Sequence, residues 1–329
     1  MVSPRPLAGA WLATGAALFA AGCAVFGPVA RPASVPAAAT PWQTLTGGWL
    51  ATAAPPGAAV PVPRLQRVTL VHPCGVAVHR SLVFIADCAT GELLRYDRAR
   101  DTITISAAIS DPAPGPSVAM IVADDLGMYV ANPAEGIVTR HDGDGKLVRL
   151  YRDPTTPGRP VAVAVDERRS EVFVADADRR RVVVFGPDGE LRRILGIEGG
   201  VALQSIAAMA LGPDGIYVLD RQAQQVVVLN LGGELRRTFS DDSLIAPGLM
   251  AVDDAGRVFI VDEADQTVSM FVHGENVSRI GGRGAEPGRF GTITALAVDG
   301  NLLYVADGAR ANVQILLLTP ESMRRRGDR

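Results

Sequence analysis

The sequence predicts an all-β fold: a six-bladed β-propeller with four-stranded blades, its ring closed by an N-terminal strand that pairs with the last blade. Three observations carry this expectation. Six short apolar runs each end in an acid or its amide, at Asp87, Asn132, Asp176, Asp220, Asp262 and Asp307, spaced 45, 44, 44, 42 and 45 residues apart. A period of about 40–50 residues is the length of one propeller blade. Two further columns keep step with these anchors: an aliphatic residue six positions on (Leu93, Val138, Val182, Val226, Val268, Val313) and a bulky one nine positions on (Tyr96, His141, Phe185, Leu229, Phe271, Leu316). Finally, the 329 residues include Gly 35 and Pro 23, a supply of turn formers that short, regularly spaced strands require.

Each unit resolves into four strands. An apolar run precedes every anchor, such as GVAV at 75–78, VAVAV at 161–165, LMAV at 249–252 and ALAV at 295–298; this is the innermost strand. The run ending at the anchor is the second strand, and the third opens six residues later. PDGE at 187–190 and LGGE at 231–234 mark hairpin turns into a fourth strand, LRRIL or LRRTF. The anchors themselves read as structural. One occurs per blade at a fixed turn, where a carboxylate or amide oxygen can accept backbone N–H groups of the following loop. The sixth copy stops after NVQILLL at 312–318 and has no fourth strand of its own. Residues 66–71, QRVTLV, precede the first blade and are expected to complete the sixth, leaving no open sheet edge at the seam.

The third copy, RPVAVAVDERRSEVFVADADRRRVVVFGPDGELRRILG, and the linker GGRGAEPGRFGTI at 281–293 closely resemble the NHL-repeat family. The resemblance covers 66–318 and implies the six-bladed fold. It implies little about activity, because the family includes enzymes, RNA binders and scaffolds, and function resides in sites placed on a fold.

The segments before and after the ring are of other kinds. Residues 1–23 hold one cation, Arg5, an uncharged stretch from Leu7 to Gly22, and then Cys23, the layout of a secretory signal peptide. The ending Ala20-Ala21-Gly22-Cys23 resembles a bacterial lipobox, which implies lipidation at Cys23 and an exported, membrane-anchored lipoprotein of the periplasm. Ala24 at the next position favours the outer membrane. Residues 24–64 are rich in Ala, Pro and Gly without a sustained period, and read as a tether. Residues 65–319 are the propeller and 320–329 an Arg-rich tail.

Function is weighed on the mouth of the ring. The net charge is −3, Lys146 is the only lysine, and the two tryptophans outside the leader, Trp42 and Trp49, lie before the repeats. A nucleic-acid partner is therefore not expected, since phosphate backbones call for a broad cationic face and single strands for stacking aromatics. The loops after the anchors and the residues before the innermost strands give a candidate binding face of His72, Arg159, Asp178, Arg179, Arg221, Asp265 and Arg310. Such a mixed polar set suits an envelope protein or a small polar ligand. The chain has four histidines, His72, His79, His141 and His273, and one of them precedes an innermost strand, whereas zinc normally takes three or more protein ligands. No catalytic or metal residue is assigned and no cofactor is expected, although Glu135, Asp178 and Asp265 leave room for calcium. The alternative is a metal-dependent lactonase-like hydrolase or a lyase at the same mouth. DGDGK at 142–146 reads as a turn. Cys74 and Cys88 both fall in the first blade; a hairpin turning at Arg80-Ser81 sets residues whose numbers add to about 162 opposite each other, which puts a cross-strand disulfide within reach, in keeping with export, whereas a one-residue slip in register would separate the pair.

Overall fold

The computed structural model describes residues 38–52, 64–108, 118–123, 125–155, 158–195 and 202–319. Cys23 with the leader, most of the tether and the tail 320–329 lie outside the described residues. Chain order begins with β1 (Ala39–Leu45), β2 (Gly47–Thr52) and β3 (Arg64–Thr69). Blade 1 contains β4 (Pro73–His79), β5 (Leu82–Asp87), β6 (Glu92–Asp97) and β7 (Thr102–Ala108), and blade 2 β8 (Met120–Val122), β9 (Met128–Asn132), β10 (Ile137–His141) and β11 (Leu147–Tyr151). Blade 3 is β12 (Pro160–Asp166), β13 (Glu171–Asp176), β14 (Arg181–Phe185) and β15 (Leu191–Leu195), and blade 4 β16 (Ile206–Gly212), β17 (Gly215–Asp220), β18 (Gln225–Leu229) and β19 (Leu235–Ser240). Blade 5 is β20 (Pro247–Val252), β21 (Val258–Asp262), β22 (Thr267–Val272) and β23 (Glu275–Gly281); blade 6 has β24 (Ile293–Asp299), β25 (Leu302–Asp307) and β26 (Asn312–Leu318). Helix among the described residues is a single 3-10 turn, Gly308–Arg310.

Every blade is an antiparallel meander, and the six innermost strands neighbour one another in a closed cycle, with β24 against β4. The two repeat columns are the core between blades. Val138, Val182 and Val313 are fully buried, as are Leu229, Phe271 and Leu316 within 1%. The second strands add an aromatic at the same level in each blade, Phe84, Tyr129, Phe173, Tyr217, Phe259 and Tyr304, none more than 5% exposed. Large side chains on these central strands contribute about 1.5–3 kcal/mol each on burial. Outermost strands are different: β11 shows four exposed residues and buries Tyr151 alone.

That difference explains a correction at the seam. The ring does close by an N-terminal strand on the last blade, but the strand is β1, from the segment read as tether, and not residues 66–71. β1 pairs antiparallel with β26, Leu45 facing Val313 and Ala39 facing Leu318. An outermost strand needs only a minimal apolar face, and ATPWQTL supplies it with Leu45, which is 2% exposed. Pro41 borders a bulge that leaves Trp42 unpaired, a tolerated place for proline at a sheet edge. Residues 64–69 instead form β3, which pairs with β2; β2 in turn lies parallel to β7, with Trp49 opposite Thr102. Blade 1 thereby becomes a six-stranded sheet. One continuous stretch, 39–52, thus serves the outer edges of both the last blade and the first.

Candidate functional site

The anchors organise the mouth. Asp87 accepts N–H groups of Val71, His72 and Ala89 at 2.7–3.1 Å. Asp220 does the same for Gln204, Ser205 and Ala223, and Asp262 for Ile245, Ala246 and Ala264. Asp307 accepts from Gly291 and Thr292, and Asn132 from Ala134 and Glu135 through its amide oxygen. Each aspartate anchor therefore ties its blade's second strand to the segment that leads into the innermost strand. These loops are held by buried acceptors whose loss would leave several N–H groups unsatisfied. Burial alone would raise the Asp176 carboxyl, but the Arg159 N–H and the Arg181 guanidinium outweigh it and hold that carboxyl below the usual range.

A repeated irregularity shapes the wall beneath. In five blades the innermost strand carries a bulge one residue after its start, at Cys74, Val161, Ala207, Gly248 and Thr294. Bulges turn a strand and re-aim side chains, and are common beside binding sites. Here four of the five, Val161, Ala207, Gly248 and Thr294, line a central cavity of about 650 Å3. Five half-buried apolar residues, Ala119, Val161, Ala207, Leu249 and Leu296, lie along its wall, with Met120, Met209 and Met250 also among the lining residues. Charge enters at the rim, through Arg159, Arg221 and Glu263.

The rim charges are paired and still partly open to solvent. Arg159 Nε donates to Asp178 Oδ1 at 2.8 Å, and Arg221 Nη2 donates to Glu263 Oε1 at 2.9 Å. Both arginines remain about half exposed. The Glu263 carboxylate lies against Gly248, where an added Cβ would come within 1.9 Å of Oε1. Gly248 does not adopt a positive φ, so its role is to give that carboxylate room.

The candidate face expected from sequence is divided by the structure. Arg159 and Arg221 line the cavity, and Asp178 joins the first of them. Three other members turn elsewhere. Arg179 lies against its own anchor Asp176, Asp265 pairs with Arg279 of the outermost strand β23 at 2.8 Å, and Arg310 reaches the carbonyls of Gly284 and Arg289 in the linker. His72 lies at the seam, its Nδ1 3.1 Å from the Gly308 carbonyl. His141 is buried between Thr139 and the Gly145 carbonyl. Among the described residues no group of three His, Cys, Asp or Glu side chains is placed to hold a metal ion. Glu263 was missed. Its signal was available, because it occupies the position directly after an anchor, as do Pro133 and Arg221, which also line the cavity.

Cys74 and Cys88 form a disulfide with their Cα atoms 5.8 Å apart. The route to it differs from the expected register. The hairpin pairs residues whose numbers add to 161, such as Val76 with Ile85, so Cys74 and Cys88 are not opposite partners. The bulge at Cys74 and the position of Cys88 just beyond β5 bring the sulfurs together.

No family model matches this sequence, and comparison with curated proteins gives no significant match. Solved structures do resemble it. A streptogramin B lyase superposes with a TM-score of 0.55 at 14% identity, over 78% of this chain and 86% of that one. Virginiamycin B lyase from Staphylococcus aureus, as a catalytically inactive histidine-to-alanine variant with quinupristin, gives 0.56 at 11% identity over 85% and 98%. A protein of unknown function from Bacteroides thetaiotaomicron gives 0.59 at 15% identity over 75% and 70%. At such identities these likenesses establish the six-bladed propeller fold and nothing about chemistry.

Proposed function

We propose that this chain is an exported, lipid-anchored propeller whose mouth is a binding platform for a ligand or partner in the bacterial envelope. The observation that carries the reading is the rim of Arg159, Arg221 and Glu263 on a cavity of about 650 Å3, a size within the ordinary range of ligand sites. The anchored loops make this rim rigid, which limits the ordering cost of binding. The leader ending in Cys23 supports export and lipidation, and the Cys74–Cys88 disulfide suits an oxidising compartment. Catalysis of the lyase or lactonase kind is the weaker reading, because the histidine at the mouth, His72, is engaged with the Gly308 carbonyl at the seam.

A photo-crosslinking residue at Ser205, on the cavity rim, tests the platform in intact cells, with one at Leu235, exposed on the outermost strand β19, as control. Saturable capture from Ser205 and not from Leu235 is expected; equal capture from both removes the reading. In the same cells Cys23→Ala is expected to release the protein from the membrane fraction, and retention would overturn the anchor.

A further inference from the structure

The cavity at the mouth has a chemistry of its own. Five innermost strands each turn an apolar side chain toward it, Ala119, Val161, Ala207, Leu249 and Leu296. The hydroxyl at this level, on Thr294, is committed to the carbonyls of Pro73 and Ala306. Along these five side chains a wholly polar occupant would give up water without replacement hydrogen bonds. Met120, half-buried beside them, adds an adaptable, polarisable contact suited to a hydrocarbon body.

The rim has spare donors. Two guanidiniums and one carboxylate line the cavity, and Asp178 beside it balances the charge of Arg159. Arg159 uses Nε on Asp178 and Arg221 uses Nη2 on Glu263. A guanidinium carries five donors in a planar fork, so each retains N–H groups for a second anion, in the geometry that suits carboxylate. A head without acceptor oxygens would leave those donors unmatched.

We infer that the cavity takes an amphipathic monocarboxylate, with its hydrocarbon body against Ala119, Val161, Ala207, Leu249 and Leu296 and its carboxylate on Arg159 and Arg221. This assignment rests on the mouth being the binding site. Binding is non-covalent, and Glu263 tunes it by competing with the ligand for Arg221.

The test is calorimetric titration of the full ring with decanoate, with decyltrimethylammonium as the cation of equal chain and butyrate as the same head without the body. Saturable one-to-one binding of decanoate alone is expected. The Arg159→Gln/Arg221→Gln double variant should lose about tenfold in affinity or more, the magnitude of charged hydrogen bonds removed. Ala207→Phe should abolish binding by filling the cavity while thermal unfolding stays cooperative. Gly248→Ala displaces the Glu263 carboxylate and should tighten decanoate binding. Equal binding of the cation, or decanoate binding untouched by the double variant and by Ala207→Phe, overturns the inference. Failure here with continued capture from Ser205 removes only the carboxylate class; failure of both removes the mouth as a binding site.

Discussion

The mouth of the ring has two unlike sides. On the seam side, where blades 6 and 1 meet, residues are tied together. Thr294 bonds the Pro73 carbonyl of the next blade, His72 meets Gly308, the disulfide links Cys74 to Cys88, and β1 and β2 bind the outer edges. Across the mouth, blades 3 to 5 carry Arg159, Arg221 and Glu263 in half-exposed pairs. The same repeat positions serve both purposes. The place after the anchor is Cys88 and Gly308 at the seam and Arg221 and Glu263 opposite. Identical backbone positions are thus assigned to closure on one side and to charge on the other, which is how a near-symmetric ring acquires an oriented site.

If closure resides in the seam, its loss should have the largest effect on stability. Leu45, 2% exposed, packs with Tyr304, Val313 and Ile315 in the core shared by the last blade and the first. Leu45→Ala is expected to cost about 2–5 kcal/mol, the usual range for a buried leucine. Trp42→Ala on the same strand, at 60% exposure, should stay within about 0.5 kcal/mol. Urea unfolding of both variants checks the pair of values. Equal, small losses would mean that β1 is dispensable and that the seam is held elsewhere.

The disulfide comes next. It closes a short loop, with a sequence separation of 14, and chain-entropy arguments put such a cross-link near 3 kcal/mol. Much of blade 1 is already ordered by β2, β3 and the Asp87 bonds, so a loss of about 1–3 kcal/mol is expected on reduction or in Cys74→Ala/Cys88→Ala. Denaturant midpoints with and without reductant measure it. An unchanged midpoint would show that the bond adds nothing to closure and would weaken the contrast between the two sides.

These features were legible in the sequence to unequal depth. The columns beginning at Leu93 and Tyr96 recur because they face the inter-blade core, where burial enforces apolar side chains, and so the blades could be counted. The closing strand was hidden because an outer strand buries so little; ATPWQTL has a single buried side chain and looks like linker. QRVTLV, with its apolar alternation, looked the better closing strand and became β3. At the mouth, positions were readable and directions were not. Arg221 and Arg310 both follow an anchor within three residues, yet one lines the cavity while the other bonds the Gly284 carbonyl. Side-chain direction there depends on the local turn and on the linker that packs beneath, and neither leaves a period. The cysteine pairing was approached through a register that was off by one, and the bulge at Cys74 supplied the difference.

The smallest expected effect separates structural charge from rim charge within blade 3. Glu171, 6% exposed, takes two hydrogen bonds from Arg193, one at 2.8 Å, and that guanidinium holds its carboxyl below the usual range. Arg159 and Asp178 are both more than half exposed, so their pair is screened by water and salt. Arg193→Gln should cost about 1–2 kcal/mol at neutral pH, and Arg159→Gln about 0–1 kcal/mol. The Arg193–Glu171 pair also carries a pH dependence. A carboxyl depressed in the folded state contributes stability that is complete above its unfolded pKa, about 4.3 for glutamate, and that disappears as pH falls through the folded value. The cost of Arg193→Gln should therefore be constant from pH 7 to about 5 and shrink as the solution is acidified below about 4. A wild-type acid limb unchanged by Arg193→Gln would place the depressed carboxyls elsewhere, with Asp97, Asp176, Glu190, Asp214 and Asp241 the remaining candidates.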